Sequence, residues 1–564
     1  MALLILDNLS TYKRTCCISP SHTLSLLPSV SLNQLLAFSM GGKAMGVPFC
    51  FLSILLFSSF SLGPGNMATV SVKAVTKIAK TDINFICATI DWWPKEKCNY
   101  NMSPWYNSSI INLDLNNTIL FNAVKAFKCL RIRLGGTLQD RVVYKVGRKP
   151  VKCENFKLDQ NELLGFTTGC LNKSRWDELN AFFNKTGAII TFGLNALNGR
   201  KKAPEGNLYI GDWDSTNARK FIRYTVKKNY KIEAWEFGNE VSGRGIGASV
   251  DAKQYGKDLI ALKKLINRLY RNSSTQQKLL APGGFFEAQW YAEMLQTSGS
   301  GVVDAVTHHI YNLGAGVDKE LIHKIQNPYY SSRIVQTYND ILTVIKDSSS
   351  WSSTWVGEAG GAYNSGGKDV SNTFANSFWY LDQLGMVSTF KHKVFCRQAL
   401  IGGNYALLDT TTFIPNPDFY SALLWHRLMG PGVLHATHDS SPFLRSYAHC
   451  SRERPGITVL LINLSNSASF DVTVSSDLNL YPNSLAQSLA SVTATGHREE
   501  YHLTSQRESR RRRTTLLNGQ LLKPTTDGQI PEMKPVIADS AAPLHVAPHS
   551  VVFARFKDIK APAC

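Results

Sequence analysis

The chain has 564 residues, 44% of them hydrophobic and 10% aromatic, with a formal net charge of +19. That length suits one barrel-sized domain plus an accessory module, and the composition excludes wholesale disorder. The basic balance favours acidic partners such as an acidic polysaccharide, an anionic membrane surface or nucleic acid.

The longest apolar run is residues 47–62, VPFCFLSILLFSSFSL, preceded by Lys43 and followed by Gly63-Pro64-Gly65. A positive residue, a short apolar core and a small-residue exit predict a secretory signal peptide within a presequence of residues 1–65. The run is short for a bilayer span, and a retained signal anchor is the alternative. Met40 and Met45 lie where an initiator for such a signal is expected. A secreted route makes nucleic acid the least fitting acidic partner. Cell wall, vacuole or lysosome, or loose peripheral attachment to a membrane stay open, and no obligate oligomer is expected.

N-x-S/T acceptors at Asn101, Asn107, Asn116, Asn172, Asn184, Asn272 and Asn463 agree with secretion and predict surface positions for most of them. Eight cysteines follow the presequence, none with C-x-x-C spacing, so neither zinc nor another metal is expected. Cys153–Cys170 would close a local loop, and Cys450–Cys564 would pin the chain terminus. Cys87, Cys129 and Cys396 lie in apolar strand-like runs and read as buried free thiols, and Cys98 stays unassigned.

From residue 81 onward, apolar runs alternate with helical patterns. Strands are predicted at 83–92, 129–134, 188–194, 232–237, 279–282, 305–311, 354–358 and 394–399, several apolar on both faces as in a covered parallel sheet. Helices are predicted between them. One at 174–184 has Ser174 and Asp177 at capping-box spacing and a stripe of Trp176, Leu179 and Phe183. Others are predicted at 251–272 and 371–384. Eight β-then-α units imply an α/β fold, a (β/α)8 TIM barrel over 81–430 with its active site at the C-terminal strand ends. After residue 430 short alternating runs without helical period predict a C-terminal all-β sandwich domain over 431–564, which residues 66–80 could join as a further strand. The run Arg510–Arg513 reads as an exposed loop.

Two strand ends carry glutamates: Glu240 ends the fourth strand, in KIEAWEFGNE, and Glu358 ends the seventh, in TWVGEAGGAY. In a closed barrel these ends face one mouth, and a pair of carboxyls across a scissile bond is what glycoside hydrolysis requires. Asn239 is placed to hold a sugar hydroxyl, and the glycines after Glu358 allow backbone amides to approach an anionic group. His308-His309 are expected to hydrogen-bond at the rim rather than to bind metal. Trp92-Trp93 fit either a sugar platform or burial at the rim, and Gly135-Gly136 and Gly402-Gly403 fit strand-end turns.

WEFGNE, TWVGEAGGAY, LRIRLGGTLQD, ITFGLNAL, THHIYN and RQALIGGNYALL together resemble the heparanase-like β-glucuronidases of glycoside hydrolase family 79, clan A, in their plant branch, from about residue 66 to 564. The resemblance implies a secreted, cofactor-free retaining hydrolase acting on an acidic glycan or glucuronide. It implies Glu240 as proton donor and Glu358 as nucleophile. It further implies sugar contacts by Asp91, Thr137, Asn239 and Tyr311, recognition of the uronate carboxylate by Gly366, Gly367 and Tyr405, and a Cys450–Cys564 disulfide. Animal members are cut in two at a long linker after the first strand; residues 93–120 are too short to hold it, so a single chain is expected. A non-catalytic glycan-binding protein and a clan-A glycosidase for a neutral sugar are the alternatives.

Overall fold

The computed structural model describes residues 65–146, 154–349, 351–477, 496–506 and 512–564. The apolar run 47–62 and Cys153 lie outside the described residues. So do Arg510 and Arg511. Among the described residues no helix is long and apolar enough to cross a membrane.

Eight parallel strands close into a barrel: β1 Ile86–Ile90, β2 Arg131–Leu134, β3 Ile189–Leu194, β4 Ala234–Phe237, β5 Lys278–Gly284, β6 Ala305–Ile310, β7 Ser353–Ala359 and β8 Val394–Arg397, with β8 pairing back onto β1. Every residue of β1, β2, β4, β6 and β8 is buried, so the polar side chains they carry, such as Arg131 and Arg133 of β2, lie in the interior rather than on a solvent face. Closure sets Cys87 of β1 beside Cys396 of β8, and they form a disulfide. Those two cysteines are therefore not the free thiols expected, and Cys129, also expected to be buried, is free but exposed. Cys98 is free as well, and Cys170 is disulfide-bonded.

The intervening helices follow the apolar stripes. Ala252–Leu269 starts where Asp251 accepts hydrogen bonds from the amides of Lys253 and Gln254, a cap that contributes about 1 kcal/mol. Lys173–Thr186 begins after Asn172, one residue before the expected Ser174. Asp177 does not close a capping box; its carboxylate accepts from the hydroxyls of Tyr224 and Tyr230. Phe374–Thr389 is buried along nearly its whole circumference, because it lies between the barrel and the second sheet.

That second sheet has eleven strands and includes the N-terminal strand Asn66–Lys80, hydrogen-bonded antiparallel to Met429–His438 and parallel to Phe470–Ser476. It curls over its own apolar core: Val70, Leu434, Ile457, Phe470, Leu544 and Val552 meet in one cluster although their strands are spread along the sheet. Its other face meets the barrel, where Asp382 accepts from Arg445 (2.8 Å) and Tyr447 (2.6 Å). Cys450–Cys564 fastens the terminus to this sheet, the pairing that the family resemblance implied. Arg513 is more than an exposed loop residue: it is ion-paired with Asp409 of the loop after β8 and donates to Asn416 (3.1 Å).

Asn101, Asn107, Asn116, Asn172, Asn184 and Asn272 are exposed. Asn463 is not. It is fully buried at the end of the strand Ile457–Asn463, and its Nδ2 donates to the carbonyls of Ala468 (2.7 Å), Ala547 (2.9 Å) and Val546 (3.3 Å). A glycan on that nitrogen is incompatible with this structure, which removes one of the seven acceptors.

Candidate active site

The C-terminal ends of the strands converge on one buried polar cluster. Glu358 is the penultimate residue of β7. Glu240 lies three residues beyond the end of β4, on a turn in which Gly238 (φ 70°) and Glu240 itself (φ 54°) are left-handed. It is therefore delivered by a turn rather than by the strand tip expected. The turn is tied down by the Asn239 amide donating to Asp140 Oδ2 (2.8 Å) and the Glu240 amide to the Gly283 carbonyl (2.7 Å). Left-handed backbone at a non-glycine residue is disfavoured and collects at functional sites.

Glu240, His309 and Glu358 each bring a side-chain donor atom to within 4.8 Å of the other two. His309 Nδ1 lies 2.9 Å from Glu240 Oε1. Tyr311 Oη donates to Glu358 Oε1 at 2.6 Å, and Arg133 Nη1 donates to Oε2 at 2.9 Å. With both Glu358 oxygens engaged by donors and a guanidinium in contact, the trio is a poor cation site and a good acid–base one. His308 points the other way, to His392 (Nε2 to Nε2 2.8 Å), and both histidines are buried rather than at the rim.

Arg133 holds the cluster together and was not singled out in the sequence. Its guanidinium is buried and reaches Glu236 Oε2 (2.5 Å), Glu358 (2.9 Å) and Asn239 Oδ1 (2.8 Å). The signal was present: in RIRL the two arginines alternate with apolar residues on an interior strand, and a charge buried there must be paired.

Burial pushes the Glu240 carboxyl up to about 7, with the nearby Arg133 charge pulling the other way. Asp91 is also pushed up to about 7, first by burial and then by the Glu358 charge, although Gln398 Nε2 (2.8 Å) and the Trp92 amide (2.6 Å) donate to it. Burial lowers His309 to about 4, so the imidazole beside Glu240 is neutral. Glu240 thus retains its proton near neutrality beside an uncharged neighbour, as a general acid requires.

The other expected contacts fall around this core. Asp91 packs against Gly136, where a Cβ would collide with its carboxylate, and half-buried Thr137 follows. Asn239 Nδ2 is buried and without a partner among the described residues. The rings of Tyr311 and Tyr405 both close on Gly360, where no Cβ fits. Trp92 and Trp93 are buried, Trp92 edge-on to Phe192 and Trp93 to Phe166, so burial at the rim is their role.

Gly367 differs from expectation. Its amide donates to Ser371 Oγ (3.0 Å), and it packs on Gly316 and Leu321. The amides of Asn364, Ser365 and Gly366 instead donate no hydrogen bond among the described residues, and all three residues are left-handed (φ 55°, 74° and 74°). Of the two glycines expected to present amides, only Gly366 therefore has its N–H uncommitted among the described residues.

Residues 67–385 match the family description "Glycosyl hydrolase family 79, N-terminal domain". The chain belongs to glycoside hydrolase family 79. It is 51% identical to heparanase-like protein 1 of Arabidopsis thaliana over 514 residues, 88% of this chain and 94% of the relative. It is 40% identical to baicalin-β-D-glucuronidase of Scutellaria baicalensis over 502 residues, 87% and 92% of the two chains. A solved 4-O-α-L-rhamnosyl-β-D-glucuronidase from Fusarium oxysporum 12S superposes with a TM-score of 0.58 at 14% identity, covering 86% of this chain and all of that one, which shows the fold. The family 79 chain is a glycoside hydrolase of the clan-A barrel type, and a glycan or glycoside is its substrate class.

Proposed function

We propose that this family 79 hydrolase is a secreted retaining β-glucuronidase. The observation that carries the mechanism is the proximity of the two carboxyls. Retaining glycosidases hold them about 5–5.5 Å apart, whereas inverting ones leave about 6.5–9.5 Å for a water. Oxygens of Glu240 and Glu358 within 4.8 Å of each other support the retaining geometry.

In the first step a Glu358 oxygen attacks C1, the bond from C1 to the aglycone oxygen breaks, and the Glu240 proton passes to that oxygen. Water then attacks C1, Glu240 takes its proton, and Glu358 departs as carboxylate with the configuration at C1 restored. Arg133 and Tyr311 orient Glu358 for both steps, and Asp91, Thr137 and the free Asn239 Nδ2 are the groups offered to sugar hydroxyls. Preference for glucuronate rests on the free amides of Asn364, Ser365 and Gly366 beside Tyr405, on the glucuronidase relative at 40% identity, and on the basic charge of the chain. Secretion rests on the apolar run 47–62 and six exposed acceptor asparagines.

The test is the rate on an aryl β-glucuronide against the matching β-glucoside. The proposal expects a preference of at least a hundredfold for the glucuronide, abolished by Glu240→Gln or Glu358→Gln. Comparable rates on both sugars assign a neutral-sugar hydrolase instead. Salt-sensitive polysaccharide binding without turnover of either substrate favours a binding protein.

A further inference from the structure

Glu236 is a third carboxylate in the catalytic cluster, and the two chemical steps give it no part. It is fully buried in β4, on the same side of the strand as Ala234, which shares an interior cluster with Cys87, Leu280, Ala305 and Trp355. Its Oε2 accepts from Arg133 Nε at 2.5 Å, while Oε1 is buried without a hydrogen-bond partner among the described residues. Two glycines close on it. A Cβ on Gly283 would sit 3.1 Å from its Cδ and Oε1, and one on Gly357 would sit 3.4 Å from Oε1. The Gly283 carbonyl receives the Glu240 amide (2.7 Å), and Gly357 directly precedes Glu358. The Glu236 carboxylate is thus wedged between the backbone that fixes the acid and the backbone that carries the nucleophile.

A carboxylate buried this deeply holds a charge only through an ion pair, and Arg133 supplies it. The same guanidinium is divided three ways, Nε to Glu236, Nη1 to Glu358 and Nη2 to Asn239. Burial works against the Arg133 charge, and Glu236, ahead of Glu358, holds that group above the ordinary arginine value. Burial also raises Glu240, Asp91 and Asp140 to about 7 and lowers His309 to about 4, so between those values none of the four is a standing charge.

The first chemical step changes this balance. As a Glu358 oxygen bonds to C1, its carboxylate becomes a neutral ester and no longer offsets Arg133. The negative charge passes to Glu240 when its proton leaves with the aglycone oxygen, but Glu240 faces His309 and makes no hydrogen bond to Arg133. Glu236 is then the one carboxylate in contact with the guanidinium. Without it a buried cation would be left unpaired, which opposes formation of the ester and favours its breakdown.

We infer that Glu236 is a positioning residue, the counter-ion that keeps Arg133 paired while Glu358 is esterified, so that formation of the glycosyl-enzyme depends on it far more than hydrolysis does. This role rests on the retaining reading above and adds to it a residue that never touches the sugar.

Glu236→Gln keeps the shape of the side chain and an acceptor for Arg133 Nε but removes the charge. The full enzyme and this variant are treated with 2-deoxy-2-fluoro-β-glucuronyl fluoride. The rate constant of inactivation reads ester formation, and that of reactivation after removal of the reagent reads ester hydrolysis. Inactivation should lose at least tenfold more than reactivation, because departure of Glu358 as a carboxylate restores its ion pair. Glu236→Asp keeps the charge and should leave the two rate constants within tenfold of their wild-type proportion. Both steps slowed alike in Glu236→Gln, as a loosened barrel would give, or neither slowed, overturns the inference. Should Glu236→Gln fail to fold, Glu236→Asp decides, and a selective loss of ester formation in it of tenfold or more is the contrary result. No adduct in the wild type would instead defeat the retaining glucuronidase reading, so the two failures are distinguishable.

Discussion

Replacing Glu240 by Gln should make the protein more stable at alkaline pH while destroying its activity. The buried Glu240 carboxyl is held up at about 7, against an ordinary value near 4.5. Below pH about 4.5 the group is protonated in both folded and unfolded chains and contributes no pH dependence. Between about 4.5 and 7 the unfolded chain releases the proton first, so folded stability falls as pH rises, and above 7 the full loss is present. At about 1.36 kcal/mol per pKa unit the loss is about 3 kcal/mol at pH 8. The substituted amide would be neutral throughout and keep a donor and an acceptor for His309. With an unfolding entropy of about 2.1 cal/mol/K per residue over roughly 350 barrel residues, this corresponds to a Tm difference of about 4 °C. Scanning calorimetry of wild type and Glu240→Gln at pH 4.5 and 8 reads it directly. The Tm gap should be near zero at the acidic pH and about 4 °C in the variant's favour at the alkaline one. Asp91 and Asp140, also raised to about 7 by burial, cancel from the comparison because both proteins carry them. A gap that does not change with pH would refute the reasoning.

The same proton should shape the rate: kcat/KM on an aryl β-glucuronide is expected to fall above pH about 7, and the fall should weaken for a glucuronyl fluoride, whose leaving group needs little protonation. Arg133→Lys loses the fork that joins Glu236, Glu358 and Asn239, and should lower kcat at least a hundredfold while destabilising the barrel by roughly 3 kcal/mol, read by denaturant unfolding. Tyr311→Phe removes one donor to Glu358 and should lower kcat about ten- to hundredfold, leaving Tm within a few degrees. Asn463 should be found unmodified by peptide mapping of the protein expressed through a secretory pathway, and Asn463→Ala should cost at least about 2 kcal/mol by stranding the carbonyls it serves.

All eight barrel strands could be read from the sequence, because short, largely apolar runs recur between helical stripes, several of them apolar on both faces. The position of Glu358 at the mouth was legible because it ends such a run, whereas Glu240 reaches the mouth on a left-handed turn three residues past its strand. Arg133 was not legible, because arginine is by default a surface residue and its three partners come from two other strands and the turn after one of them. Barrel closure itself carried a signal that was passed over, since it makes the first and last strands neighbours and so pairs Cys87 with Cys396. Asn463 follows an unbroken run of strand residues, ITVLLI, and that burial outweighs the acceptor motif. Residues 94–109, after β1, have no periodicity of their own. Their position is set by contacts to Ser365 and Gly403, far away in sequence.

The most direct test of the account is covalent trapping of the glycosyl-enzyme with a 2-deoxy-2-fluoro-β-glucuronyl fluoride, followed by intact mass measurement and peptide sequencing. One glucuronyl adduct per chain is expected, carried as an ester on Glu358 and turned over slowly, with none formed in Glu358→Gln. An adduct on another residue, or inverted glucuronate from a normal substrate with no adduct, would contradict it.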